Sequence, residues 1–167
     1  MRALFAGAGA LLLIVGAAHD QSPEEAKIRK VIIEGNQGWI AASKSLDPGP
    51  LREWFEGQAL VDLTKDAAKS REGGFYIVFD APRIIFESVT MDMEKGEATV
   101  LTTETWSGAG HDLGSGDCFS RRGPNKSRLT YKLKREGPRW KIFSSTQEPL
   151  GERTGSLPCD ARSPVPE

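Results

Sequence analysis

Few side chains in this chain of 167 residues have the type and spacing that chemistry requires. Glu104 is the most informative carboxylate. It shares strand parity with Ala98, Val100 and Trp106, which can set it on the inner, apolar face of a sheet. A carboxylate, His or Tyr buried in such a place has its proton affinity shifted, and enzymes use such groups as acids or bases. The plainer arrangement, and the one expected here, has Glu104 paired with a neighbouring Lys or Arg, or in water at the end of the sheet. His111 stands beside Asp112 in a glycine-rich stretch, Gly108-Ala-Gly-His-Asp-Leu-Gly-Ser-Gly116, and reads as part of an ordinary polar loop rather than an acid–base pair. That stretch lacks the strand-to-helix context and the Lys-Ser/Thr ending of a phosphate loop. No GxSxG, HExxH or dinucleotide fingerprint occurs. No Cys/His cluster has metal-ligand spacing, so neither a metal nor a cofactor is expected.

The second chemical feature is charge placement. From His19 to Ser120 there are 18 acidic and 10 basic residues, whereas Arg121 to Lys141 holds 9 basic residues and a single acidic one, Glu136. Within that span Arg128, Lys132 and Lys134 alternate with Leu129, Tyr131 and Leu133, so the basic set shares one strand face and the apolar set the other. Lys141, on the following strand, extends the basic face if the register allows. Such a face can steer an acidic protein partner, and it also serves as a plain solvated surface. Nucleic acid is not an expected partner for an exported chain with a net charge of −1.

Export itself is read from the start of the chain. Met1-Arg2 is followed by an apolar run from Ala3 to Val15 and by the small residues Gly16-Ala-Ala18, the layout of a secretory signal peptide cleaved near Ala18. The alternative is a retained anchor, but a bilayer span needs about 20 apolar residues. Cys118 and Cys159 are the two cysteines. An even count in an exported chain favours a disulfide, the alternative being two separate thiols. The expected compartment is therefore periplasmic or extracellular.

The elements that must position these groups come in a clear order. Ser22 is a good N-cap, Pro23 suits the first helical position, and Ile28, Val31, Ile32, Gly35, Trp39, Ala42 and Leu46 form one helical stripe. The predicted helix runs from Pro23 to Ser45 and stops at Asp47-Pro-Gly-Pro50. A second helical region is expected from Leu51 to Lys69, broken or kinked at Gly57. Strands are expected at Phe75–Phe79, Ile84–Met93, Glu97–Trp106, Arg128–Arg135 and Arg139–Ser144, with turns at Lys95-Gly96 and Gly137-Pro138. Residues 107–127 read as a long, mobile polar loop. The expected organisation is a signal segment at 1–18, one α+β domain at 22–148 and a Pro-rich tail at 149–167. Trp39, Trp54, Trp106 and Trp140 suit either a pocket lining or, more commonly, a core.

Helices followed by an antiparallel meander resemble the nuclear transport factor 2-like cone. Within that superfamily the chain is similar to the intermembrane-space domain of the plastid and cyanobacterial division proteins. Trp54, Leu60-Val-Asp-Leu63, Gly73-Gly-Phe-Tyr76, Ala98-Thr-Val-Leu-Thr-Thr-Glu104 and Tyr131-Lys-Leu-Lys-Arg-Glu-Gly-Pro-Arg-Trp-Lys-Ile142 carry the likeness. The resemblance implies a long helix packed into the concave face of a curved antiparallel sheet, with a pocket at the open end. Fold alone does not choose a function. The expected function is a non-catalytic binding or interaction module, with homodimerisation through the outer sheet face as one form of it. The alternatives are a small-molecule binder and a cone-type isomerase or cyclase-like enzyme acting through Glu104.

Overall fold

A computed structural model describes residues 22–152 and 154–159. The signal segment expected at 1–18 lies outside them, as does the end of the tail.

Helix α1 spans Pro23–Ser45. The Ser22 hydroxyl accepts from the Glu25 amide at 3.1 Å, which satisfies one of the free N–H groups of the first turn. Leu46 ends the helix in the left-handed region at φ 57°, and Arg71 donates to its carbonyl at 2.6 Å. The second helical region is divided. Gly49–Glu53 forms a 3-10 turn, and α2 begins only at Gly57 and runs to Glu72. The break has a tertiary cause. Between the two pieces the chain hydrogen-bonds to the last strand, with Ile142 N–H donating to Trp54 and Glu56 N–H donating to Ile142, at 2.8 and 2.9 Å.

The strands are β1 Phe75–Phe79, β2 Arg83–Asp92, β3 Glu97–Asp112, β4 Cys118–Glu136 and β5 Arg139–Pro149. All pair antiparallel. The order is β1-β3-β4-β5, and β2 shares the β1 edge of β3 by pairing with its first half. Bulges near Phe86, Trp106, Gly110 and Lys132 bend the sheet into a half-barrel around α1.

The long loop expected over 107–127 is corrected. β3 continues to Asp112, β4 starts at Cys118, and only a short turn separates them. The extension carries no hydrophobic alternation because Gly108 and Gly110 stand where apolar side chains would. Their missing side chains leave room for rings. A Cβ on Gly108 would lie 3.0 Å from the Phe79 ring, and one on Gly110 2.8 Å from the Phe119 ring.

The core lies between α1 and the concave sheet face. Ile28 and Ile32 from α1 meet Leu51, Val100, Leu133 and Ile142, all fully buried. The expected alternation in β4 holds, since Tyr131 and Leu133 are buried and Lys132 and Lys134 exposed. The tail is tied back to the sheet. Leu157 exchanges two backbone hydrogen bonds of 2.9 Å with Arg121, along the edge of β4 that β5 does not reach.

Candidate functional site

Alternation along β3 sends Ala98, Val100, Thr102 and Glu104 into the cone. On β4, Tyr131 sits opposite Val100 and points the same way. From α1, Asn36 continues the inner stripe of Ile28 and Ile32 at four-residue spacing and reaches the same place. These three directions meet at Glu104.

Glu104 is fully buried. Its Oε1 accepts from the Tyr131 hydroxyl at 2.7 Å and from the Thr102 hydroxyl at 3.0 Å. Its Oε2 accepts from Trp106 Nε1 at 2.8 Å and from Asn36 Nδ2 at 3.4 Å. This overturns the expectation that Glu104 pairs with Lys or Arg or lies in water. The basic residues of β4 alternate to the outer face, so the inner carboxylate has only neutral donors within reach. Burying a carboxylate without compensation is costly, and convergent hydrogen bonds are what make it tolerable here.

Tyr131 is held neutral. Burial raises its phenol well above the ordinary value of 10.0, and the nearby Glu104 charge raises it further. The unfolded chain therefore loses this proton first. Stability is complete below pH 10 and falls as pH rises above it, by at most about 1.4 kcal/mol per pH unit for this group. Urea unfolding at about pH 9 and pH 11 should show the extra loss in wild type and not in Tyr131→Phe. Parallel losses in the two proteins would refute it.

Beside this cluster is a cavity of about 390 Å³. Its walls are Trp39, Phe55, Leu63, Phe79, Trp106, Leu129 and Tyr131, with Asn36 at one side and Asp62 and Asp66 of α2 at the rim. Phe79 is packed between Trp39 and Trp106, with ring centroids at 6.4 and 5.6 Å. Trp39 and Trp106 thus line a pocket, whereas Trp140 is in the core. A larger open groove of about 660 Å³ continues past Trp106 along the glycine-rich part of β3.

His111 is a strand residue rather than a loop residue. Its ring stacks on Tyr76 at 5.2 Å, and Nδ1 lies 3.0 Å from the Gly116 carbonyl. Asp112, the next residue along the strand, accepts from the Ser115 and Gly114 amides at 2.8 and 3.0 Å. Those bonds hold its carboxyl below the usual range. The two side chains serve the turn separately and form no acid–base pair.

Cys118 and Cys159 are bonded, with Cα atoms 6.0 Å apart. The register, which the sequence left open, sets Lys134 beside Lys141 on the outer face. That face is partly neutralised. Arg128 lies 3.5 Å from Glu87, Lys141 lies 3.0 Å from Glu136, and Lys134 sits 4.3 Å above the Phe143 ring.

Asn36, Thr102 and Tyr131 were not singled out as site residues by sequence. The one available signal was Asn36 itself, a polar residue on the apolar stripe of α1. Among the described residues no helix is long and apolar enough to cross a membrane, and no three His, Cys, Asp or Glu side chains are placed to hold a metal ion.

No family model matches the chain, and no curated protein matches it in sequence. Among solved structures it is similar to the intermembrane-space region of the chloroplast protein ARC6, at 17% identity and a TM-score of 0.63, over 75% of this chain and 96% of that one. It is also similar to an NTF2-like protein from Cytophaga hutchinsonii, at 13% identity and a TM-score of 0.43, over 73% and 98% of the two chains. At these identities the likeness is one of fold: the chain shares with the ARC6 intermembrane-space region an α+β cone, helices packed against a strongly curled antiparallel sheet.

Proposed function

We propose that the chain is an exported, non-catalytic binding protein that takes a small molecule into the cone. The observation that carries this reading is the aromatic-walled cavity beside a carboxylate already saturated by the chain's own donors. An acid or base must reach the atom whose proton it moves. Glu104 is fully buried and both of its oxygens are engaged, so it organises the wall of the cavity rather than reacting with a guest. Cavities of this size with apolar walls and a few convergent polar groups are the usual form of small-molecule sites. Export is supported by the leader-like residues 1–18 and by the Cys118–Cys159 bond. Native mass spectrometry of mature protein purified from its own envelope fraction tests the reading. The expected result is a small-molecule adduct that is lost on denaturation and returned unchanged. Chemical conversion of the released molecule by the protein would refute a non-catalytic role, and an adduct-free mass in every preparation would refute ligand binding.

A second reading, docking of an acidic protein on the outer sheet face, is supported by the register that aligns Lys132, Lys134 and Lys141. Changing Lys132 and Lys134 together to Glu should leave stability within about 0.5 kcal/mol, since both are exposed. It should also abolish salt-sensitive capture of acidic proteins from the same fraction. Unchanged capture would reduce these lysines to a solubilising surface.

A further inference from the structure

We infer that the guest of the cone is a small organic cation, an amine or quaternary ammonium carried on an apolar body. The inference rests on the ligand-binding reading above and adds the chemical class.

Three observations converge on it. The first is a count of protons around Asn36, which is 94% buried (6% exposed) and borders the cavity. Its Nδ2 faces two acceptors, Glu104 Oε2 and the Tyr131 oxygen, both at 3.4 Å. Its Oδ1 lies 3.5 Å from the same Tyr131 oxygen. A phenol has one proton, and Tyr131 places it on Glu104 at 2.7 Å. Asn36 Oδ1 is therefore left with a long, 3.5 Å contact to a phenol whose proton Glu104 holds more closely, and is a weakly supplied acceptor. A buried acceptor so weakly supplied costs free energy that a guest bearing N–H, O–H or a polarised C–H can recover. An anion or a carbonyl cannot do so.

The second observation is charge. Every ionisable side chain with a formal charge that lines the cavity is acidic, namely Asp62 and Asp66, and no Lys, Arg or His lines it. The two stand one helical turn apart on α2, on the same side. Asp62 accepts from Gln58 at 2.7 Å, and Asp66 stands 3.9 Å from Lys69, a loose pair that leaves its charge available. Glu104 adds a buried negative charge behind the wall. Negative charge at the rim of a low-dielectric cleft raises the local concentration of cations.

The third observation is the wall. The rings of Trp39, Trp106, Phe79 and Tyr131 border the space. Aromatic rings attract a cation that has shed part of its water, and they pack against its apolar body at the same time.

Three probes of similar size test the inference: 2-phenylethylammonium, 2-phenylethanol and 3-phenylpropanoate. Each is titrated into the mature, disulfide-bonded protein at low salt while the indole N–H signals of Trp39 and Trp106 are followed by NMR. The ammonium ion is expected to bind at least about tenfold tighter than the alcohol, and the carboxylate more weakly than either. Changing Asp62 and Asp66 together to Asn should bring the ammonium ion to within about threefold of the alcohol. Both positions are exposed, so this variant folds. Asn36→Leu removes that acceptor and should weaken the ammonium ion and the alcohol alike, both being donors, by about tenfold, while leaving the carboxylate's affinity nearly unchanged. If the alcohol or the carboxylate binds as tightly as the ammonium ion, the cationic class is wrong and the cavity remains a ligand site. If no probe moves either indole signal up to about 10 mM, weaker than any specific site of this kind, the ligand-binding reading falls with it.

Discussion

Replacing Glu104 by Ala should cost about 4 kcal/mol of stability. Two strong donors, the Tyr131 hydroxyl at 2.7 Å and Trp106 Nε1 at 2.8 Å, would lose their acceptor inside the protein. Each such orphan costs about 1–3 kcal/mol, and the void left by the side chain adds to that. Domains of this size have about 5–15 kcal/mol in total, so the variant should be close to unfolding at elevated temperature. Glu104→Gln keeps the volume and one acceptor oxygen but turns an NH2 group toward donors, and should cost about half as much. Urea denaturation of the three proteins at neutral pH measures both differences. A Glu104→Ala protein within 1 kcal/mol of wild type, taken as roughly the limit of such measurements, would show that the four hydrogen bonds do not hold the cone together.

Loss of the disulfide is the second large effect. Cys118 and Cys159 are 41 residues apart, and closing a loop of that length in the unfolded chain corresponds to about 4 kcal/mol in the chain-entropy model. The bond also has a local task. It holds the segment around Leu157 against Arg121, where β4 would otherwise present a bare edge. Changing both cysteines to Ser should therefore lower global stability by up to about 4 kcal/mol and unprotect the Arg121 and Leu157 amides from hydrogen exchange. The amides within the central β3–β4 pairing, such as those of Val100 and Tyr131, should stay protected until global unfolding. Equal protection of Arg121 and Leu157 in the two proteins would mean that packing alone holds the tail, and that the bond is incidental to that edge.

The two effects come from different kinds of residue, and they were not equally legible. The bonded cysteines could be expected from an even count and the leader-like residues at the start of the sequence. The carboxylate cluster could not. Its strand parity was visible, but parity does not say how deep a strand sits or which neighbours face it. The expected counter-ion was a neighbouring Lys or Arg, and the nearest basic residues across the sheet are Lys126 and Arg128, opposite Thr105 and Thr103. The pleat sends them to the other face, and only the β3–β4 register brings Tyr131 to the carboxylate instead.

Local signals were sufficient where the element depends on nearby residues. Ser22-Pro23 starts α1 and Asp47-Pro-Gly-Pro50 follows its end because capping and proline geometry act within a turn. Phe75–Phe79 and the turn at Gly137-Pro138 are likewise local. The sequence by itself therefore determined the order of elements, the inner and outer faces of β4 and the α+β cone. Tertiary structure decided the rest. It settled the form of the break that Gly57 signalled in the second helical region, because Trp54 and Glu56 find backbone partners on Ile142, far away in sequence. It drew the glycine-rich stretch into β3, because rings from Phe79 and Phe119 cover strand positions that have no side chain of their own. It gathered Asn36, Thr102, Glu104, Trp106 and Tyr131 into one cluster beside an aromatic cavity. Hydrogen bonds across 68 and 95 residues of chain follow from the curl of the sheet around α1, and no local pattern encodes that curvature.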